Sequence, residues 1–261
     1  MMLRDYKNTF GNLSVAWIFA WYDIKLRYRR TRLGLIWITL SVLIESLILS
    51  LLFGSLFKQN FLSFYPYVFS GRVVWQLISG IFSDALVVIP QSKNYILNHN
   101  IPPHVFVTRI CTRNLLIFLH SSLFVYIFCA INYTSAWQFL SLFLIPIFAV
   151  AITLAVYPFA LILSILGARY RDIVFLIPYC LQILFYATPI VWKQSDLTGT
   201  LAYYLMLNPV TPMLETVRNI FLGQAISYSS IAVTALIGIS GWMMAVCVYQ
   251  RAKAHLCYWM L

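Results

Sequence analysis

The sequence predicts an all-α integral membrane protein. It has six transmembrane helices, an amphipathic interfacial helix before them, and two short re-entrant helices between spans five and six. Three observations lead there. Of 261 residues, 62% are hydrophobic and 10% charged, whereas a soluble globule carries about a quarter charged. Apolar runs of bilayer-crossing length recur along the chain, separated by short polar breaks. The basic residues fall in alternate breaks, as the positive-inside rule requires of a multi-pass chain.

Residues 1–32 read as a cytosolic N-terminal segment: Arg4, Asp5 and Lys7 sit among polar neighbours, with no short apolar core and cleavage site of a secretory signal. The stretch 23–37, DIKLRYRRTRLGLIW, carries basic residues directly into the first apolar run. On a helix, Trp17, Trp21, Ile24 and Tyr28 form one stripe, and Lys25, Arg27, Arg29, Arg30 and Arg32 fan around the other faces. Such a helix lies flat at a membrane surface, rings at headgroup depth, each arginine adding about 1 kcal/mol of attraction to anionic lipid. A nucleic-acid arm fits less well, because it needs neither the aromatic stripe nor the abutting span.

Residues 33–261 form the membrane region. The first span, 33–57, is interrupted by Glu45 alone, and the second is 68–89. The polar segment 91–106, QSKNYILNHNIPPHVF, breaks at Pro102 and Pro103. The third span, 105–131, has Arg109 and Arg113 near its inner end, and the fourth, 139–166, stops at ARYRD. The fifth, 173–190, is short for a crossing, and the sixth is 231–249. With both termini inside, only Lys58, Arg72, Lys193 and Arg218 of the eighteen Lys and Arg lie outside. That asymmetry supports the topology.

Segment 191–230 has apolar pieces too short to cross and is broken by Pro209 and Pro212. Non-helical backbone at membrane depth must be buried in protein or line a water-filled cavity, which predicts the pair of re-entrant helices. An ordinary outer loop is the alternative. Glu45, Arg72 and Asp84 are charges within spans, each costing about 2.5–3.5 kcal/mol at a helix centre unless it faces a cavity or partner. A structural lock with a basic residue is one reading; proton coupling fits less well, because no acid–histidine relay accompanies them. The five cysteines are odd in number and scattered, with no CxxC pair, so neither a disulfide framework nor a metal site is expected.

The ordered set of a basic interfacial helix running into LGLIW, a polar loop with proline after span two, ARYRD after span four, TPIVW after span five, and LNPVTP before an amphipathic stretch resembles the ABC-2 family of ABC-exporter permeases. Within it, the resemblance is to the branch that exports polysaccharides such as lipopolysaccharide O-antigen, and it covers nearly the whole chain. It implies an inner-membrane homodimer that binds two copies of a separate ABC ATPase and moves a lipid-linked polysaccharide outward. No cofactor is implied in this chain: it lacks GxxxxGK[ST], so ATP and magnesium are expected on the ATPase.

By the same resemblance, the loop after span two carries the coupling helix, here Lys93, Asn94, Tyr95, Asn98, His99 and Pro102, with Arg27 and Arg30 as a second cytosolic contact. The family commonly has a lysine before this loop's proline; Asn98 and His99 stand nearest here. Arg169, Arg171 and Asp172 join spans four and five on the cytoplasmic side. On physical grounds the arginines could bind headgroup phosphates, pair with Asp172 and the ATPase, or serve only as a stop signal. Thr188, Pro189, Trp192, Asn208 and Pro209 would build the outer gate. Most aromatic residues suit interfacial belts, while Phe53, Phe57, Phe185 and Tyr186 are candidates to line a conduit, where sugar rings stack on aromatic planes. Rival readings are an ABC-2 exporter of capsule or teichoic-acid polymer, lipid or drug; a membrane glycan-processing enzyme, for which His99, His104, His120 and His255 show no grouping with acids; and a secondary transporter, which should show broken helices in both halves.

Overall fold

Lipid is as apolar as leucine, so membrane helices gain little by hiding large side chains and pack where small residues let backbones approach. The chain follows that rule in a computed structural model, which describes residues 9–29, 34, 36–99, 101–132, 137–193, 207–253 and 255–259. In order, these form α1 (Thr9–Tyr28), α2 (Ile36–Leu56), α3 (Phe61–Gln91), α4 (Lys93–His99), α5 (Pro103–Asn132), α6 (Trp137–Arg169), α7 (Ile173–Ala187), α8 (Val210–Phe221), α9 (Tyr228–Ala252) and α10 (Leu256–Trp259). No strand occurs among the described residues.

Helix α2 turns Thr39, Ser46, Ser50 and Gly54 inward and leaves Ile44, Leu47, Ile48, Leu51 and Leu52 exposed. The buried hydroxyls are not orphaned. Ser46 donates to the Val42 carbonyl, and Ser50 donates to that of Ser46 at 2.6 Å. Helix α9 repeats the scheme with Ser230, Gly238, Gly241 and Ala245 buried, where a side chain on Gly241 would meet the Phe159 ring of α6 at 2.7 Å. The tightest approach joins α3 to α6: a Cβ on Gly167 would overlap the Leu86 carbonyl oxygen.

Helix α3 is the centre of the bundle, packed against α2, α5, α6, α7 and α8. In its most apolar stretch 56% of residues are buried, against 17% in α9. It starts earlier than the sequence suggests. Asn60 caps it by accepting from the Leu62 amide at 2.9 Å, so Tyr65, Pro66 and Tyr67 lie inside the helix and not ahead of it.

Among the described residues, five helices are long and apolar enough to cross a membrane: α2, α3, α5, α6 and α9. The predicted fifth span is the shorter α7, 15 residues or about 22 Å at the α-helical rise. It stops at Ala187 because Thr188 precedes Pro189, and a residue before proline is held out of the helical region. Thr188 is extended, with φ −95° and ψ 139°. Of the two short helices predicted in 191–230, the second is α8, inserted among α3, α6 and α9 with Met213, Leu214, Val217 and Ile220 buried. The first would lie largely in 194–206, outside the described residues.

Helix α1 corrects its predicted stripe. It lies along α5 and buries Ala16, Ala20 and Ile24, leaving Trp17 53% and Trp21 52% exposed. Ile24 leaves the stripe to pack on Ile38 and Ile117. The two tryptophans are about half exposed.

Candidate functional site

Polar groups gather at both ends of α3. Beyond its C-terminal end, the Ser92 amide closes the helix onto the Val88 and Ile89 carbonyls, both at 3.1 Å, and α4 begins one residue later. Ile96 anchors α4, while Asn94, Tyr95, Asn98 and His99 form one exposed face. Lys93 and Pro102 flank that face, both half-buried. Tyr95 also reaches back into the bundle. Its ring lies 5.9 Å from that of Phe19 on α1 and 6.2 Å from that of Phe106 on α5.

Beside this aromatic trio runs a chain of ion pairs. Asp23 is the only acid of α1; it accepts from Arg109 Nε at 2.7 Å and Nη2 at 2.5 Å and from Arg113 Nη1 at 3.4 Å. Arg113 turns its other nitrogen to Asp84 of α3, whose carboxylate also accepts from Asn114 Nδ2 at 2.7 Å. Arg109 lies over the Phe19 ring at 5.4 Å. Thus α1, α3 and α5 are tied by charge at the place where α4 meets them. Arg27's side chain and all of Arg30 lie outside the described residues.

At the other end, a clasp closes the gap between α7 and α8. Asn208 Nδ2 donates to Thr188 Oγ1 at 2.8 Å, and Asn208 Oδ1 accepts from the Val210 amide at 2.9 Å. Thr188 donates onward to the Leu184 carbonyl at 2.6 Å, and Pro209 starts the turn into α8. Tyr67 of α3 supports the segment after α7, its hydroxyl within 3.2 Å of the Pro189 carbonyl and 3.0 Å of that of Trp192. Trp192 Nε1 donates to the Tyr186 carbonyl at 3.0 Å.

Arg218 of α8 is buried at 2% exposure, with its guanidinium 3.8 Å from the centre of the Tyr67 ring. Gly71 makes this possible, since any side chain there would overlap Arg218 Nη2. Burial holds Arg218 below the usual arginine range, against the pull of Tyr67 and Glu215. Burial likewise lifts the Glu215 carboxyl, opposed by Arg218.

The within-span charges are paired. Arg72 of α3 meets Glu45 of α2 at 2.7 Å, and Asp84 meets Arg113. Phe53 and Phe57 stack at 6.3 Å. Phe185 packs edge-on against Trp75 at 5.6 Å and against Tyr186 at 5.3 Å, with Arg72 5.8 Å from its ring. Phe185 is thus part of the α3–α7 contact, while Tyr186 is 55% exposed.

ARYRD departs from one of its readings. No ion pair joins Arg169 or Arg171 to Asp172 among the described residues. Arg169 lies between the rings of Tyr170 at 4.8 Å and Trp259 at 4.9 Å, so it holds α10 onto the end of α6. Arg171 and Asp172 are exposed.

Sequence reasoning placed Arg109 and Arg113 near an inner helix end but missed their partners. The available signal was their spacing of one helical turn in a chain with few acids. Nothing in the sequence marks Tyr67 as the support under Arg218, because that contact needs Gly71 and the placement of α8.

Comparison with known proteins agrees with this architecture. The model of the ABC-2 type transporter family matches residues 15–222. The chain is 25% identical over 202 residues to the O-antigen export system permease protein RfbA of Myxococcus xanthus, covering 76% of each chain. It is 20% identical over 240 residues to the protein of that name from Klebsiella pneumoniae, covering 88% of this chain and 89% of the relative. Helices α1 to α8 all fall within or overlap the matched segment, and the chain belongs to the ABC-2 type transporter family.

Proposed function

We propose that the chain is the transmembrane subunit of an ATP-driven exporter that carries lipid-linked polysaccharide of the O-antigen type from the cytosol across the inner membrane. It works as a homodimer with two copies of an ABC ATPase, which bind ATP and magnesium. The observation that carries this reading is the position of α4: one face exposed, and Tyr95 on that helix in ring contact with both α1 and α5. Similarity to the RfbA permeases supports the choice of cargo.

In this reading, α7 and the segment through Val191 together make the fifth of six crossings, α8 is re-entrant from the outer face, and residues 1–32 and both termini are cytosolic. The exposed face of α4 takes the push of the closing ATPase pair. Tyr95 passes it to Phe19 and Phe106, and the ion pairs at Asp23 oblige α1, α3 and α5 to move as one body. The Thr188–Asn208 clasp seals the outer end until that movement separates α7 from α8. No bond is made or broken by this chain.

Depleting the chain from its host and probing lipid-linked glycan in intact and permeabilised cells tests the reading. Glycan trapped on the cytosolic face is the expected result. Unchanged surface glycan would remove the polysaccharide cargo and leave capsule polymer, lipid or drug.

A further inference from the structure

Although α3 is the most enclosed spanning helix, the side it leaves open is polar. Arg72, Gln76, Ser79, Gly80, Ser83 and Asp84 recur at i, i+4, i+7, i+8, i+11 and i+12, one face of a helix over about 18 Å. Ser83 is exposed and the other five are half-buried, whereas Val73, Val74, Leu77, Ile78 and Ile81 between them are buried. Helix α2 shows the opposite order over 46–52, with Leu47, Ile48, Leu51 and Leu52 outside and Ser46 and Ser50 inside. A polar open face at membrane depth cannot lie against lipid, where each unsatisfied group costs several kcal/mol.

The face opens on a groove of about 380 Å³, flanked by Trp37 and Ser41 of α2 and by Asn114 of α5. Behind it, Gln76 Oε1 and Arg72 Nε are buried with no hydrogen-bond partner. The groove's charges are already matched: Arg72 by Glu45 and Asp84 by Arg113. What remains for a visitor is neutral hydrogen-bonding capacity: the Ser83 hydroxyl, the Gln76 amide nitrogen, and the lone pairs of Ser79, whose hydroxyl donates to the Trp75 carbonyl at 2.8 Å.

We propose that this face of α3 is the track along which cargo crosses, and that it takes an uncharged, hydroxyl-rich chain. A sugar hydroxyl both donates and accepts, so it can meet the Ser79 acceptor and the Ser83 and Gln76 donors. A polyanion would find no unmatched cation there. The identity of the cargo rests on the exporter reading; the wetness of the face does not.

The test uses the assembled transporter in membranes, with native cysteines replaced. Ser79→Cys and Ser83→Cys are treated with a charged, membrane-impermeant methanethiosulfonate. Ser240→Cys, on the exposed side of α9 beside Leu236, Ile239 and Met243, is the lipid-side control. The track predicts reaction at 79 and 83 at least tenfold faster than at 240; equal rates overturn it. The double variant Ser79→Leu, Ser83→Leu should then lower surface glycan at least tenfold with the ATPase still co-purifying, while Ser240→Leu does not. Normal surface glycan from the double variant overturns the track. Normal surface glycan after deletion of the whole chain overturns the exporter reading instead, and the labelling rates still decide whether the face is wet.

Discussion

Arg109 holds Asp23 through two hydrogen bonds, Nε at 2.7 Å and Nη2 at 2.5 Å, fastening helix α1 to the long apolar helix α5. A two-pronged pair fixes angle as well as distance, so α1 cannot swing on α5 without breaking it. Asp23→Asn should weaken this joint. In a double-mutant cycle with Arg109→Ala, unfolding in detergent should give a coupling of about 0.5–3 kcal/mol. In the proposed mechanism the joint transmits force and does not bind nucleotide, so export should fall more than ATP hydrolysis by the complex. Additive single effects would remove the joint from the account.

Tyr95 is expected to act through its ring. Its contacts to Phe19 and Phe106 are aromatic, each worth about 0.5–1.5 kcal/mol. Tyr95→Phe should therefore export normally, while Tyr95→Ala should lose most export yet still bind the ATPase. Side-by-side measurement of surface glycan and co-purified ATPase separates the two variants.

At the clasp, Asn208 uses both ends of its amide. Asn208→Ala leaves the Val210 amide and the Thr188 hydroxyl without these partners, at a cost of about 1–3 kcal/mol. Thr188→Val keeps the shape but also strands two groups, the Asn208 amide and the Leu184 carbonyl, and should cost a similar amount. Both variants should leak small polar solutes into resting cells, read as faster uptake of an impermeant dye.

Two glycines make a graded pair. A Cβ on Gly167 would overlap the Leu86 carbonyl, whereas one on Gly238 would sit 3.2 Å from Ala155 Cα. Gly167→Ala has backbone in its way and should lower stability by about 1–3 kcal/mol or more, while Gly238→Ala should be milder. Thermal unfolding of the two purified variants orders them.

The spanning helices were legible because each is a long apolar run, and the exposed face of α4 followed from the polar loop that contains it. Helix ends were less so. Asn60 caps α3 eight residues before the predicted start at 68, since hydropathy does not register a side-chain hydrogen bond. The Ile24 error on α1 has a similar origin: alanines at 16 and 20 make the protein-facing seam, and a search for a large-residue stripe passes over them. The ion-pair chain through Asp23, Arg113 and Asp84 joins three separate helices, so no local window contains it.

The measurement that bears most directly on the central claim is transport itself. The chain, its ATPase and a lipid-linked glycan would be placed together in sealed vesicles, with glycan reaching the opposite leaflet followed by a lectin. The account predicts transfer that requires ATP and fails with Tyr95→Ala. Transfer that proceeds equally without ATP, or no transfer by the unaltered complex while ATP is hydrolysed, would contradict it.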